Sequence, residues 1–157
     1  MIAILQNIRS LYNVGSIFRT ADAAGIEKLY FCGITPAPVD QFGKVKPKLA
    51  KVSLGSEKTV LWEKVASASR LIDRLKKAGY KIWAVEQDRR ASLYYKTNKT
   101  NRTDKLALIF GNEVRGISPA ILKKCDKILE IPMRGKKESL NVAVAFGIVI
   151  YGLMYPC

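Results

Sequence analysis

Short apolar runs alternate with segments of helical period along this chain. The apolar runs predict β-strands, at 2–5, 29–32, 81–85, 106–110 and 128–131. Apolar residues spaced three and four apart predict helices, over 14–24, 62–78, 119–124 and from 139 onward. The polar, basic segments 34–57 and 88–104 predict long loops. Strands that are apolar on both faces and alternate with helices indicate an α/β fold, with a parallel sheet covered by helices on both sides.

The last predicted helix is apolar on almost every side. Its apolar positions are Val142, Ala143, Val144, Ala145, Phe146, Ile148, Val149, Ile150, Leu153 and Met154. Such a helix is normally buried all round, and in a small domain one face is left for a second subunit. The small residues Ala143, Ala145, Gly147 and Gly152 permit close approach, so we expect a homodimer. The run is shorter than the roughly 20 residues that span a bilayer, and we expect no membrane contact.

The chain of 157 residues has 27 Lys and Arg against 13 Asp and Glu, a net charge of +14. The basic residues cluster in 44–58, 89–105 and 123–137, which favours a polyanion such as nucleic acid as partner. The alternative is that the lysines only maintain solubility. The candidate phosphate contacts, each of which is also compatible with ordinary solvated surface, are Lys44, Lys46, Lys48, Lys51, Arg89, Arg90 and Lys99.

The cysteine and histidine content argues against metal and disulfide chemistry. Three cysteines without CxxC spacing and no histidine support neither a zinc site nor a disulfide framework. The N-terminus lacks the pattern of a signal peptide. We therefore expect a cytoplasmic protein without a bound metal.

Two glycine-containing segments could be scaffold or site. In the segment 13–19, Asn13 can cap a helix and Arg19 lies on its polar side, which needs no function to explain it. The segment 110–116 follows an apolar strand, where ligands of open parallel sheets bind and glycine lets backbone amides approach them. A plain strand-to-helix connection would explain this segment equally well.

A third segment, 131–141, contains a strand end, a basic glycine loop and a helix start. Ser139 is a candidate N-cap, and the amides of Leu140 and Asn141 would suit a ligand with acceptor atoms. Capping by Ser139 leaves Asn141 unexplained, because an amide inside an apolar buried helix needs polar partners.

Taken in order, these segments resemble the three motifs of the SpoU/TrmH-type branch of the SPOUT methyltransferases. The matching stretches are NVGSIFRTADAAG, LIFGNEVRGIS and IPMRGKKESLNVAVA, with further counterparts in VSLGSEKTV at 52–60 and AVEQD at 84–88. The resemblance covers nearly the whole chain. Five matches in order are far more specific than any one of them.

The resemblance implies an α/β fold with a C-terminal trefoil knot and a dimer whose cofactor lies in the knot. Topology rules discard knots, so periodicity alone does not predict one. It also implies transfer of a methyl group from S-adenosylmethionine to the ribose 2′-oxygen of tRNA or rRNA. By matching position, the residues that contact the cofactor are Val85, Glu86, Gly111, Ile131, Met133, Ser139, Leu140 and Asn141.

The resemblance also implies a catalytic set, namely Arg19, Asn13, Glu113, Ser139 and Asn141. In the family the arginine of the first motif, here Arg19, takes the proton from the ribose hydroxyl. A guanidinium has a pKa above about 12 and is a poor base. We therefore assign Arg19 to position the hydroxyl and stabilise the developing alkoxide, with an RNA phosphate as candidate proton acceptor. Asn13 and Glu113 would orient Arg19 or the partner subunit's site.

Two alternatives stay open. One is a SPOUT-class methyltransferase that acts on a ring nitrogen of a base, although the pair of Asn13 and Arg19 favours the ribose branch. The other is a catalytically silent RNA-binding protein with the same fold. The intact motifs argue against this second alternative. We expect residues 1–157 to form a single methyltransferase domain with no added RNA-binding domain, so that the core itself recognises the shape of a folded RNA.

Overall fold

The computed structural model of the chain describes residues 1–97 and 105–155, and in them a seven-stranded parallel sheet. The strands are β1 Ile2–Gln6, β2 Lys28–Cys32, β3 Leu61–Val65, β4 Lys81–Val85, β5 Ser92–Leu93, β6 Leu106–Phe110 and β7 Lys127–Glu130. The helices are α1 Leu11–Ala24, α2 Pro47–Ser53, α3 Ala68–Lys77, α4 Pro119–Leu122 and α5 Val142–Met154, with 3-10 turns at Ser56–Lys58 and Tyr94–Lys96. The strand order is β3-β2-β1-β6-β4-β7-β5, with every pairing parallel. The predicted α/β class is confirmed.

Side chains alternate along each strand, so the apolar strands present apolar residues to both faces of the sheet. Helices cover both of these faces. Leu5, Phe31 and Phe110 point to the face covered by α1, α2 and α5. Ile4 and Ile109 point to the face covered by α3 and α4. All five side chains of the central strand β6 are buried, which explains its unbroken apolar sequence.

Two predicted helix caps are wrong. Helix α1 begins at Leu11, two residues before Asn13, because the Ser10 side chain accepts the amide of Asn13 and so caps the helix. Helix α5 begins after Asn141, whose Oδ1 accepts the amide of Ala143 at 2.9 Å. Ser139 therefore does not cap it, and Asn141 is an exposed cap rather than a buried amide inside the helix. The predicted end of α1 at residue 24 is confirmed, and Gly25 follows it with a left-handed φ of 74°.

Two predicted boundaries are also wrong. The stretch predicted as one helix over 62–78 divides into the edge strand β3 and helix α3, and Ser67 caps the helix. The stretch predicted as a loop over 34–57 contains helix α2, which begins with Pro47 at a position where proline favours a helix start. The predicted loop 88–104 contains β5 and a 3-10 turn, while its remainder, 98–104 with Lys99, lies outside the described residues.

Helix α5 is less enclosed within one chain than the sequence predicts. Val142, Phe146 and Val149 are buried against the core, but Val144 is 50% exposed and Tyr151 is also exposed. The role of the glycines at a subunit contact stays a prediction, and the structure shows a packing role for them within one chain. A Cβ at position 147 would lie 3.8 Å from Cγ2 of Thr20, and one at position 152 would clash with the Tyr94 ring, so both glycines face their own chain. No helix among the described residues has the length and hydropathy needed to cross a membrane.

Candidate functional site

The segments that follow β4, β6 and β7 enclose a pocket of about 330 Å³ at the carboxyl edge of the sheet. This volume lies within the ordinary range for small-molecule sites, and the edge is where open parallel sheets bind ligands. Its lining consists of Val85, Glu86, Gln87, Phe110, Gly111, Asn112, Glu113, Val114, Gly116, Glu130, Ile131, Met133, Glu138, Ser139, Leu140, Val142 and Ala145.

The structure brings together most of the residues that the sequence predicts for the cofactor. Those that line the pocket are Val85, Glu86, Gly111, Ile131, Met133, Ser139 and Leu140. Asn141 stands at the start of α5, outside this lining. Sequence reasoning missed Glu130 and Glu138, although both fall in or beside the third motif. Their position next to predicted site residues was the one signal available.

Two glycines allow the pocket wall to form. A Cβ at Gly111 would lie 2.6 Å from Cγ1 of Ile117, and a Cβ at Gly116 would lie 2.4 Å from a carboxylate oxygen of Glu86. Gly116 also has a φ of 62°, in the region where side chains are unfavourable. Its amide donates to the carbonyl of Asn112 at 2.9 Å, which closes a tight turn over 112–116.

Glu86 joins this turn to the end of β4. Its Oε2 accepts the amide of Ile117 at 2.7 Å, and its Oε1 accepts the amide of Gln87 at 3.0 Å. The backbone amide of Glu86 donates to Leu129 of β7 at 3.0 Å. The segments after β4 and β6 are thus fixed to each other and to β7.

The pocket is acidic although the chain is strongly basic. Its lining includes four carboxylates, from Glu86, Glu113, Glu130 and Glu138, while the described lining contains no Lys or Arg. In a partly closed site the local carboxylates act over a few ångströms, whereas distant surface lysines are screened by solvent and salt. The pocket therefore favours a ligand that carries positive charge.

Side-chain amides link the three predicted motifs. Asn13 donates from Nδ2 to Oε1 of Glu113 at 2.9 Å, and its Oδ1 accepts from Nδ2 of Asn141 at 3.0 Å. These bonds join α1, the turn after β6 and the start of α5. Four members of the predicted catalytic set are at or beside the pocket. They are the three residues joined by these hydrogen bonds, Asn13, Glu113 and Asn141, and Ser139 in the pocket lining.

Arg19 is the member that the structure does not bring to the pocket. It is exposed on α1 and is absent from the described lining. It lies six positions after Asn13, about 9 Å along the helix axis. The next residue, Thr20, faces Gly147 of α5, so Arg19 lies beside the seam between these two helices.

The cysteines and carboxylates offer no other obvious chemistry. Burial raises the pKa of Cys32 and Cys125 to about 11, so both are protonated thiols near neutral pH and poor nucleophiles. Within residues 1–97 and 105–155, no group of three His, Cys, Asp or Glu side chains could hold a metal ion.

The fold and the site define an α/β protein with an acidic ligand pocket at the carboxyl edge of a parallel sheet. Residues 1–151 match the model of the SpoU rRNA Methylase family, and the chain belongs to this family. The resemblance of the motifs is thereby confirmed.

Curated relatives include a 23S rRNA (guanosine-2′-O-)-methyltransferase RlmB of Coxiella burnetii, 32% identical over 96% of this chain and 56% of the relative. A tRNA (guanosine(18)-2′-O)-methyltransferase of Aquifex aeolicus is 32% identical over 96% of this chain and 67% of its own length. The chain thus spans between half and two thirds of the length of these relatives.

Solved structures agree with this assignment. An AdoMet-bound rRNA methyltransferase from Sinorhizobium meliloti is 25% identical with a TM-score of 0.84, over 96% of this chain and 54% of that chain. A protein whose structure concerns 2-OH methylation of C/U34 on tRNA is 27% identical with a TM-score of 0.80, over 97% of this chain and 92% of that chain.

The variant Gly116→Ala tests the geometry of the pocket wall. The new Cβ would displace the Glu86 carboxylate and hold a side chain at positive φ, so we expect a loss of about 1–3 kcal/mol in the free energy of unfolding, measured with urea. Gly135→Ala is the matched control, because a Cβ there meets nothing within 4 Å and φ is not positive. Equal stability of both variants would contradict this account of the wall.

Proposed function

We propose that this chain transfers a methyl group from S-adenosylmethionine to a ribose 2′-hydroxyl of structured RNA, either tRNA or rRNA. The observation that carries the proposal is the acidic pocket lined by the second and third family motifs, to which Asn13 of the first motif is hydrogen-bonded, within a chain of net charge +14. The relatives named as guanosine 2′-O-methyltransferases of 23S rRNA and tRNA support the same reaction.

The pocket residues fit S-adenosylmethionine chemically. The cofactor carries a positive sulfonium, a positive amino group and one carboxylate, and the four pocket carboxylates favour its net positive charge. Apolar side chains of Ile131, Met133 and Leu140 offer contact to an adenine ring. Gly111 and Gly116 also line the pocket. When bound, the cofactor supplies an activated methyl group, and the protein supplies binding and orientation.

The side chains around the first motif would orient the ribose hydroxyl. Asn13 is held between Glu113 and Asn141, which fixes its amide relative to the pocket. We propose that Arg19 then positions the hydroxyl and stabilises the alkoxide that develops on it, because a guanidinium donates hydrogen bonds and stays charged. An RNA phosphate is the proposed proton acceptor.

The variant Arg19→Ala should lose methylation by at least about 100-fold, which is the usual effect of removing one group that stabilises a developing oxyanion. Cofactor affinity, measured by calorimetry, should change little because Arg19 lies outside the pocket lining. Arg70→Ala is the control, an exposed arginine on α3 across the sheet. Full methylation by the Arg19 variant would overturn the assignment.

We further propose a homodimer formed across α5. The exposed apolar side chains of Val144 and Tyr151 on that helix support it, since an uncovered apolar face favours association. Arg19 lies outside the pocket of its own protomer, and a dimer across this face offers a route by which it reaches the pocket of the partner.

The variant Val144→Glu should convert the proposed dimer into a monomer in sedimentation experiments, because the interface would bury an unpaired carboxylate. Val144→Leu keeps the apolar contact and should remain dimeric. A wild-type protein that sediments as a monomer would contradict the proposal.

Basic side chains in segments that follow the carboxyl ends of β2 and β4 would contact RNA phosphates. Lys44, Lys48 and Lys51 are exposed, and Lys46 is half-buried. Arg89 is exposed as well, whereas Arg90 is already bonded to Asp88. Hydrogen bonds from Arg90 lower the pKa of that carboxyl to about 2. We therefore rank the lysines of 44–51 above Arg90 as phosphate contacts.

The proposal includes the remaining expectations for this domain. The strand order places β4 between β6 and β7, a crossing arrangement that supports a C-terminal trefoil knot. Cys32 and Cys125 are free, which fits a reducing cytoplasm. RNA recognition by residues 1–157 themselves is also part of the proposal.

The proposal is tested by transfer of radiolabelled methyl from S-adenosylmethionine to bulk tRNA and, separately, rRNA, followed by nucleoside analysis. We expect a labelled 2′-O-methylnucleoside, and the adjacent bond should resist alkaline hydrolysis. A labelled base with ordinary alkaline cleavage would indicate the ring-nitrogen alternative. Cofactor binding without transfer to either RNA would favour the silent RNA-binding alternative.

A further inference from the structure

Phe42 is held in solvent by a structured turn. It is 78% exposed, the most exposed aromatic side chain among the described residues. The turn that carries it is closed by a bridge between Val39 and Val45. Oδ1 of Asp40 accepts the amides of Phe42 at 2.8 Å and Lys44 at 3.0 Å. A phenyl ring normally favours burial, so this turn presents it outward against that tendency.

Four lysines follow Phe42 within ten residues: Lys44, Lys46, Lys48 and Lys51. Within residues 1–97 and 105–155, no carboxylate lies at ion-pair distance from any of them. The pKa of Lys64 is lowered, first by burial and also by repulsion from Lys46. The charges of the four lysines are thus unneutralised by the part of the chain that the structure describes, and an anion would relieve the repulsion.

The segment that carries Phe42 is fixed to the same sheet edge as the pocket. It follows β2, and β2 lies two strands, or about 10 Å, from β6 in the sheet. The buried Thr35 hydroxyl donates to the carbonyl of Leu5 at 2.8 Å and accepts the amide of Ile8 at 3.0 Å. Lys64 also donates to the carbonyl of Thr35, at 2.5 Å. The base of this segment is consequently rigid.

We propose that Phe42 is a stacking platform for an unpaired base of the RNA substrate, with the lysines of 44–51 holding the adjacent phosphates. The inference rests on the proposed function, which supplies RNA as the partner. Every base has a face that stacks on an aromatic ring, but a duplex hides these faces between neighbouring pairs. Lysines alone would bind single-stranded and double-stranded RNA alike. The ring therefore adds a preference for a loop or bulge near the modified nucleotide.

The test compares two fluorescein-labelled RNAs by anisotropy, a stem-loop with an unpaired loop and a fully paired duplex of equal length. Phe42→Ala should weaken binding of the stem-loop roughly 5- to 150-fold, the range for loss of one base–aromatic stack. Its affinity for the duplex should change less than about 2-fold, because the phosphate contacts are intact. Phe42→Trp should retain the affinity, and its emission should be quenched by the stem-loop alone.

Two matched variants separate stacking from other effects. Leu61→Ala removes an apolar side chain of similar exposure, 68%, at the amino end of β3, whereas the segment of Phe42 follows the carboxyl end of β2. This variant should leave both affinities unchanged. Lys48→Gln should weaken the binding of both RNAs equally and reduce the salt dependence of binding by about one counterion. Thermal unfolding of each variant checks that the fold is retained, as the exposure of Phe42 leads us to expect.

The outcomes distinguish this inference from the proposed function. If the wild type binds and methylates RNA while Phe42→Ala binds the stem-loop normally, or weakens both RNAs equally, the stacking role is overturned and the methyltransferase proposal stands. A change of oligomeric state in Phe42→Ala with unchanged RNA affinity would also overturn it. If the wild type binds neither RNA and transfers no methyl group to tRNA or rRNA, both proposals fail.

Discussion

The carboxylate of Glu86 holds together the geometry on which the pocket depends. By accepting the amides of Ile117 and Gln87, it makes the end of β4 and the turn after β6 into one wall. The contact requires glycine at position 116, since a Cβ there would overlap the carboxylate. The acidic residue thus has a structural role as well as a charge, because both of its oxygens accept backbone amides. Gly111 permits the same close packing, since a Cβ there would lie 2.6 Å from Cγ1 of Ile117.

Charge is distributed so that the chain can bind two ligands of opposite sign. The pocket concentrates four carboxylates, while the segment 44–51 concentrates lysines that form no ion pair with any carboxylate of the described residues. At physiological ionic strength, charges more than about 8 Å apart are largely screened when exposed. A cationic cofactor in the pocket and a polyanionic RNA on the surface would therefore each respond mainly to the nearest charges. Net charge alone suggests nucleic acid but conceals the acidic site.

The sequence predicts the buried strands well because unbroken apolar runs such as β6 have few other stable placements. Its errors arise where local preference is ambiguous and a distant partner decides. The half-exposed residues of β3 fit a helix as readily as a strand, and pairing with β2 determines the outcome. Asn13 is as good a cap as Ser10, but its side chain is engaged by Glu113, which is 100 residues away in sequence. The motifs locate the pocket lining, whereas no local pattern indicates that Arg19 lies outside it.

Asn7, at the end of β1, links the surface segment after β2 to the pocket turn after β6. Its side chain accepts the amide of Ile34 at 3.2 Å, and its carbonyl accepts Nδ2 of Asn112 at 2.8 Å. Its φ of 57° is one that asparagine tolerates better than most residues, and Gly33 leaves room for its side chain. Group transfer between two bound molecules requires that they be held in mutual register, and an error of about 1 Å can cost about 100-fold in rate. Asn7 is hydrogen-bonded both to the segment after β2 and to the turn after β6, and so fixes the position of one relative to the other. The alignment of the proposed RNA and cofactor sites consequently depends on hydrogen bonds between short asparagine side chains and the backbone rather than on long flexible side chains.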